Sequence, residues 1–542
     1  MGRDIKGKEL DRMDETFRGF LEHLRQAGEL IDFRQPIDIR HIATLVDQSD
    51  KAILFHKVIG YDIPVVSGII RSRERAMMAM GATEYLQIEE RLKNGINNPI
   101  PPQRVASSPA REIVMKGEDV DLYQLPIPMS SIYDGGPMIT AGVVIARDPE
   151  FGINTGIYRF MVKEKNLTGI DIVTPNNMRL FVQRAYEAKR PLPISISIGT
   201  HPIELLGAGF KAPLGTDEMA IAGGIRGQAV KLAAGDTVDV PFIADAEIVL
   251  EAEILPTGWT HPEGRFGEFT WLMGGLHWNP IVRVKSVSMR RDAIYYALHM
   301  PWENTWLMAP TRYAAIRQAL RTAGVVVKDI NMTMGGVTFW HAVISIKKQA
   351  GDGKNALLAA LSVMDIKHVV IVDDDIDVFN PVEVEWAIAT RVQGDRDLLI
   401  VSNARGKPLD PSLAPTPHGI VPTTAKVGID ATISEGIPKE RYQRITYAYA
   451  DTAKIADYLG GKADREAGKA SSEVIAKLAE EIASVLEKTP LYFTDVAERF
   501  SGYEFNAVAR AIGLLHEKER LWQDPKGCLC LRNSPFAAKL PN

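Results

Sequence analysis

Two carboxylates five residues apart stand in the run Glu263-Gly264-Arg265-Phe266-Gly267-Glu268, directly behind His261-Pro262. Two glycines and a proline among charged residues do not belong inside a regular element, so the run reads as a shaped loop. Carboxylates that share a site push each other's pKa values apart, which keeps one protonated and able to move a proton. The competing reading is a solvated acidic loop. A second run, Asn154-Thr155-Gly156-Ile157-Tyr158-Arg159, is followed by Leu167-Thr168-Gly169 and Pro175-Asn176-Asn177. If 157–162 is a strand, Arg159 shares a face with Ile157 and Met161. A guanidinium in that apolar setting needs a carboxylate or phosphate partner, in a binding site or in a structural ion pair. In Pro213-Leu214-Gly215-Thr216-Asp217-Glu218, Thr216 or Asp217 caps a helix running through 220–224. Glu218 then sits in the first turn, as a complement to the helix dipole or as a metal ligand.

Other groups carry less. Asp373-Asp374-Asp375 follows a strand-like stretch and reads as helix capping and a solvated loop rather than a metal site. Trp302 and Trp306, at i and i+4, read as core rather than as an aromatic wall. Cys528 and Cys530 share a strand face, but no histidine or further cysteine accompanies them, so they form no zinc site. Two thiols in 542 residues also exclude a disulfide framework and point to the cytoplasm.

Lysines and arginines number 63 against 68 acids, a net charge of −5, which argues against a protein that grips nucleic acid or an anionic membrane. The first residues are charged where a signal peptide is apolar, and no apolar run is long enough to span a bilayer. Average hydrophobic content excludes disordered, collagen-like and coiled-coil classes.

The elements that must hold these residues divide the chain into four. Residues 1–125 pair an amphipathic helix (Phe17, Phe20, Leu21, Leu24, stopped at Gly28) with short strands as an α/β domain. Residues 126–310 are β-rich, with strands at 141–147, 153–162, 192–198, 238–242 and 281–290, and read as a β-barrel or split barrel. Residues 311–460 alternate strand and helix as a βαβ-type layer. Residues 461–542 offer three helices and a hairpin, a winged-helix-like extension whose balanced charge argues against DNA binding. The fold class is α/β (α+β multidomain).

Asn-x-Gly-x-Tyr-Arg at 154–159, the Glu218 loop and Glu263-Gly-x-Phe-Gly-Glu268 resemble, in order, the UbiD family of prenylated-FMN-dependent (de)carboxylases. So do Val372-Asp373-Asp374-Asp375, Trp386-Ala387-x-x-Thr390-Arg391 and Ala425-Lys426-Val427-Gly428-Ile429-Asp430, and the likeness spans about residues 10–460. The resemblance implies a central flavin-binding split barrel and a C-terminal α/β domain that serves oligomerisation, as homodimer or homohexamer. It implies prenylated FMN bound along 154–159, with Asn176, Asn177, Glu218 and Lys426 also at the cofactor. It implies a divalent ion, Mn²⁺ with Mg²⁺ or Fe²⁺ as alternatives, held by Asn154 and Glu218, with K⁺ nearby. Asn177 stands where the family commonly has a histidine ligand, and a neutral amide binds such an ion less tightly than imidazole. Arg159, Glu263 and Glu268 match the family's Glu-Arg-Glu network. The implied reaction is decarboxylation, in either direction, of an aromatic, heteroaromatic or α,β-unsaturated acid, with Arg159 on the carboxylate, Glu268 as proton donor and a flavin prenyltransferase supplying the cofactor. The rival readings are an ordinary flavin oxidoreductase, a nucleic-acid-binding regulator acting through the tail, and a metallohydrolase.

Overall fold

A computed structural model describes residues 16–172, 175–416, 420–464 and 470–539; the charged N-terminal stretch read against a signal peptide lies almost wholly outside them. The centre of the chain is a closed barrel of six antiparallel strands. Its order is Ile248–Ile254, Leu192–Ile198, Met138–Asp148, Gly152–Glu164, Leu167–Gly169 and Ile281–Met289, which pairs back to Ile248–Ile254. Closure leaves no free edge among the six, and a seventh strand, Ile113–Lys116, pairs onto Ile281–Met289. Alternation along Gly152–Glu164 sends Tyr158 and Phe160 into one apolar core and Ile157 into another. Arg159 therefore shares the Ile157 face, as its spacing predicts.

Two further sheets belong to the same compact unit, Met1–Gly436. One runs Leu30–Phe33, Ala52–Phe55, Val65–Ser67, Tyr295–Tyr296, so the chain leaving the barrel pairs into the N-terminal sheet. The other runs Val327–Met332, His341–Ile346, His368–Asp373, Thr423–Ala431, Leu398–Arg405, with parallel inner pairs and antiparallel edges. The separate unit Ile437–Asn542 has helices Ser472–Leu486, Phe493–Arg499 and Phe505–Glu517 and a hairpin of Leu521–Gln523 with Leu529–Leu531, around Leu478, Ile482, Val508 and Leu515. No described helix is long and apolar enough to cross a membrane.

Several elements escaped the sequence pattern. The helix Trp302–Thr322 runs through Pro310 and across 310/311, where composition suggested a boundary. A proline inside a helix is rare enough to read as a stop, yet here packing on both sides overrides it. The barrel strand Ile248–Ile254 carries Glu251 and Glu253, which masked it. Glu251 is buried because its Oε2 accepts the N–H groups of Asp236, Thr237 and Val238 at 2.8, 2.5 and 3.2 Å. Those contacts turn the chain where a strand over 238–242 was expected, and only Phe242–Ile243 forms one. The acidic run is structural: Arg391, on the following helix, binds Asp373 at 2.9 Å and Asp375 at 2.6 Å.

Candidate active site

Glu263 and Glu268 are carried by one hairpin. His261–Glu263 pairs with His277–Asn279, Glu263 lying opposite His277, and Glu268 sits in the connecting turn. Glu268 N–H donates to Leu272 O at 2.8 Å and Gly274 N–H to Phe266 O at 2.8 Å, so the turn is hydrogen-bonded. Gly264 is required by a close approach: a Cβ there would stand 2.4 Å from Gly135 Cα.

The hairpin meets the barrel at Arg159. Its Nε donates to Glu263 Oε1 at 3.1 Å and its Nη1 to Glu268 Oε1 at 2.8 Å. Its Nη2 lies 3.0 Å from Asp171 Oδ2 and 3.2 Å from His277 Nδ1. The guanidinium also covers the Phe266 ring at 5.1 Å. Every edge of the fork is thus committed, as planar bidentate chemistry favours. Burial alone would lower the Arg159 pKa, but Asp171, Glu268 and Glu263 outweigh it and hold it above the ordinary arginine value. Burial raises Glu263 above the usual carboxylate range despite Arg159. At Asp171 burial pushes upward too, but the His277 hydrogen bond and the Arg159 charge outweigh it and the group is lowered. His277 is raised by its bond to Asp171. Glu268 also walls a cavity of about 340 Å³.

A second cluster forms at the start of the same barrel strand. Asp217 caps the helix Glu218–Arg226, accepting Met219 N–H at 2.9 Å, and Gly227 in the left-handed region (φ 78°) ends it. Glu218 is buried and accepts Thr155 N–H at 2.8 Å, and burial pushes its carboxyl up to about 7. Asn154 bonds the Tyr158 side chain. Thr155 Oγ1 is buried with no hydrogen-bond partner among the described residues. Gly156 is needed here as well, since a Cβ would fall 2.5 Å from the Tyr158 ring.

The remaining expected residues are placed differently. Asn176 uses its Oδ1 to cap Asn177–Glu187, accepting Arg179 N–H at 2.8 Å. Asn177 Nδ2 donates to Ala212 O at 3.3 Å, in the loop that leads to Glu218. Lys426 Nζ donates to Leu361 O at 2.6 Å and Val363 O at 3.3 Å, at the end of the helix Asp352–Ser362. Among the described residues no three His, Cys, Asp or Glu side chains gather into a metal-ligating group.

Sequence reasoning missed Asp171, His277 and Asn279, which complete the Arg159 cluster; Asn279 Nδ2 donates to Asp171 Oδ1 at 3.3 Å. The His277-x-Asn279 alternation was the available signal, hidden because the hairpin was read as a loop. It also missed a cationic group around Asp365. Arg312 lies 2.8 Å, Lys407 3.4 Å and Lys211 4.0 Å from its Oδ2. Burial lowers the Lys407 ammonium to about 8. Lys407 stands over the Phe269 ring at 4.5 Å, beside Glu268 in sequence, and Lys211 precedes the Asn177 contact at Ala212. Lys407 thus packs on the residue that follows Glu268 in the hairpin turn.

These features have counterparts in known proteins. Three family models for 3-octaprenyl-4-hydroxybenzoate carboxy-lyase match: the N-terminal domain over residues 21–93, the Rift-related domain over 103–301 and the C-terminal domain over 305–431. The UbiD-class enzyme HmfF from Pelotomaculum thermopropionicum, solved with FMN, superposes with a TM-score of 0.75 at 39% identity, covering 82% of this chain and 100% of that one. An evolved dimeric form of HmfF, solved with prFMN, gives 0.74 at 37%, covering 82% and 100%. Anhydromevalonate phosphate decarboxylase of Methanothermobacter thermautotrophicus is 35% identical over 79% of this chain and 99% of its own length. Gallate decarboxylase of Lactiplantibacillus plantarum is 33% identical over 76% and 88%. The barrel and site thus define a carboxy-lyase of the decarboxylase type. The chain belongs to the UbiD family. Residues beyond 431 lie past the matched models.

Proposed function

We propose that this chain decarboxylates an aromatic, heteroaromatic or α,β-unsaturated carboxylic acid with prenylated FMN, in either direction. The observation that carries the reading is Arg159 clasped between Glu263 and Glu268, with Glu268 on a cavity wall. The prenylated flavin supplies, when bound, the electron sink that an sp² carbon needs on losing CO₂. Arg159 binds the substrate carboxylate and exchanges its Glu268 contact to do so. Glu263, buried and bonded to Nε, keeps the fork oriented while that exchange happens. Glu268 then delivers the proton that takes the place of CO₂ on the carbon.

The chain's own atoms fit such a cofactor. The unpartnered Thr155 Oγ1 is on the strand assigned to the flavin, and the buried Glu218 carboxylate, at the start of the helix Glu218–Arg226, accepts the Thr155 N–H. Lys407, Arg312 and Lys211 bring three cations to one aspartate, a surplus suited to a phosphate. Glu218 with the amide oxygens of Asn154 and Asn177 would offer oxygen donors to a divalent ion, Mn²⁺, Mg²⁺ or Fe²⁺, and K⁺ belongs to the same reading. Lys426 contributes positive charge from the Asp365 side. A flavin prenyltransferase supplies the cofactor, and assembly as homodimer or homohexamer is part of the same reading.

The test is cofactor supply. Protein made without a flavin prenyltransferase is expected to be inactive, and activity is expected to appear on co-expression, followed as CO₂ release from a panel of aryl acids. Full activity with plain FMN would overturn the cofactor. A second expectation concerns the ion: Asn177→His is expected to retain more divalent metal than the parent after identical chelator treatment, because imidazole is the stronger ligand. Equal metal content in both would remove position 177 from the coordination shell.

A further inference from the structure

Nδ1 of His277 stands between a donor and an acceptor. Arg159 Nη2 lies 3.2 Å from it and Asp171 Oδ1 lies 3.1 Å from it. A ring nitrogen presents either a lone pair or a hydrogen, so it accepts from the guanidinium or donates to the carboxylate, never both at once. The groups around it come from three elements. On its own hairpin, Glu263 lies opposite His277 and Glu268 sits in the connecting turn. Asp171, just beyond the strand Leu167–Gly169, holds a second contact to Arg159 from Oδ2 to Nη2 at 3.0 Å, and its Oδ1 accepts Asn279 Nδ2 at 3.3 Å. On the barrel strand of Arg159, the cation beside Glu263 is Lys163, which directs its Nζ to Pro262 O at 2.7 Å. One guanidinium therefore faces three carboxylates, Asp171, Glu263 and Glu268.

A substrate carboxylate makes a fourth. Held in the two-pronged geometry that suits a guanidinium, it needs one N–H from Nη1 and one from Nη2. Nη1 releases Glu268. Of the two N–H groups on Nη2, one serves Asp171 Oδ2 and the other is directed at His277 Nδ1. A bond to a carboxylate oxygen is stronger than one to a neutral imidazole, so the His277 contact is the one that yields. We propose that His277 is a positioning residue: as the substrate carboxylate takes that N–H, Nδ1 binds a proton from solvent and donates it to Asp171 Oδ1. The Nη2–H···Nδ1 hydrogen bond breaks, an N–H bond forms at Nδ1, Nε2 keeps its hydrogen, and the ring becomes an imidazolium. Positive charge then stands against Asp171 while Arg159 is turned to the substrate. The His277 side chain is 18% exposed, so a solvent proton can reach it. The electrostatics agree in sign: the Asp171 hydrogen bond raises the His277 pKa, burial and the Arg159 charge oppose it, and turning Arg159 away leaves it higher still. The inference rests on the proposed reading that Arg159 binds the substrate carboxylate.

The experiment uses holoenzyme from co-expression with a flavin prenyltransferase, its histidines isotope-labelled at Cε1 for NMR, and formate as the carboxylate probe. The His277 signal is identified by its loss in His277→Asn. Formate binding is read from broadening of the labelled formate line, which Arg159→Gln is expected to abolish. Saturating formate, compared with chloride at the same ionic strength, is expected to raise the His277 titration midpoint by at least about one pH unit. Arg159→Gln without formate is expected to raise it too, because the amide leaves Asp171 without its guanidinium. A histidine that only braces the hairpin would keep one midpoint in all three states. Bound formate with an unmoved His277 midpoint, or an unmoved midpoint in folded Arg159→Gln, overturns the inference and leaves the decarboxylase reading standing. If Arg159→Gln does not fold, the formate titration of the parent decides alone. A formate line that is not broadened, or whose broadening survives Arg159→Gln, shows that Arg159 takes no carboxylate and overturns the reading and this inference together.

Discussion

Glu268→Gln is expected to abolish turnover, by more than ~100-fold given what a positioned acid contributes, in protein that keeps its flavin. Glutamine matches glutamate in volume and can still accept a hydrogen bond from Arg159 Nη1, now 2.8 Å from Glu268 Oε1. It cannot hand a proton to carbon. The hairpin turn should persist, because its bonds run through the backbone of Glu268, Leu272, Phe266 and Gly274 rather than through this carboxylate. Two measurements separate proton delivery from a general loss of structure: CO₂ release, and deuterium incorporation from solvent into the product carbon. Both are expected to fail while flavin absorbance stays at the parent level. Near-normal rates for both would take Glu268 out of the mechanism. Glu263 is then the next candidate, although it is fully buried behind Arg159 rather than at the cavity wall.

What the sequence revealed of this site follows from how local each signal was. Glu263 and Glu268 were legible because glycines, a proline and charges crowd one short run, and Arg159 because strand alternation sets it on the apolar face of Ile157 and Met161. Glu218 was legible because Thr216 or Asp217 could cap a helix there; Asp217 is the cap, and the helix runs past the expected 224 to Arg226. The closed barrel was only partly visible: Ile248–Ile254 closes it, yet two glutamates break its apolar run, and Glu251 is buried only because the 236–238 backbone folds over it. Pairings between distant segments leave no trace in periodicity. Asp171 reaches Arg159 from the residue two beyond a barrel strand, and His277 from the returning arm of a hairpin, and neither neighbourhood looks unusual in one dimension. The ring of Lys211, Arg312 and Lys407 around Asp365 is assembled from four stretches of chain, so only the folded arrangement discloses it.

Arg159→Lys is expected to lower kcat/KM by at least ~100-fold and to destabilise the protein, although the charge is conserved. The guanidinium reaches Glu263 through Nε, Glu268 through Nη1 and Asp171 through Nη2, three directions that a single ammonium cannot serve together. At least one carboxylate loses its partner, and leaving a buried ion unpaired costs about 3 kcal/mol or more. The pH dependence identifies the cause. In the parent, Asp171 is held below its ordinary value, so its stabilising contribution is present above the unfolded pKa and is lost as pH falls through the folded one. With Arg159 weakened, the His277 hydrogen bond still lowers Asp171 but burial gains on it, so the folded pKa rises. The stability that the charged group contributes above its unfolded pKa shrinks accordingly. The stability deficit of Arg159→Lys, read from urea unfolding, is therefore expected to widen as pH rises from the acid side of the ordinary aspartate pKa towards neutrality. A deficit that stays flat across that range would mean that Asp171 does not depend on Arg159. Unimpaired kcat/KM in a flavin-loaded Arg159→Lys protein would show that a point charge suffices, and that the planar fork gripping three carboxylates serves folding rather than the substrate.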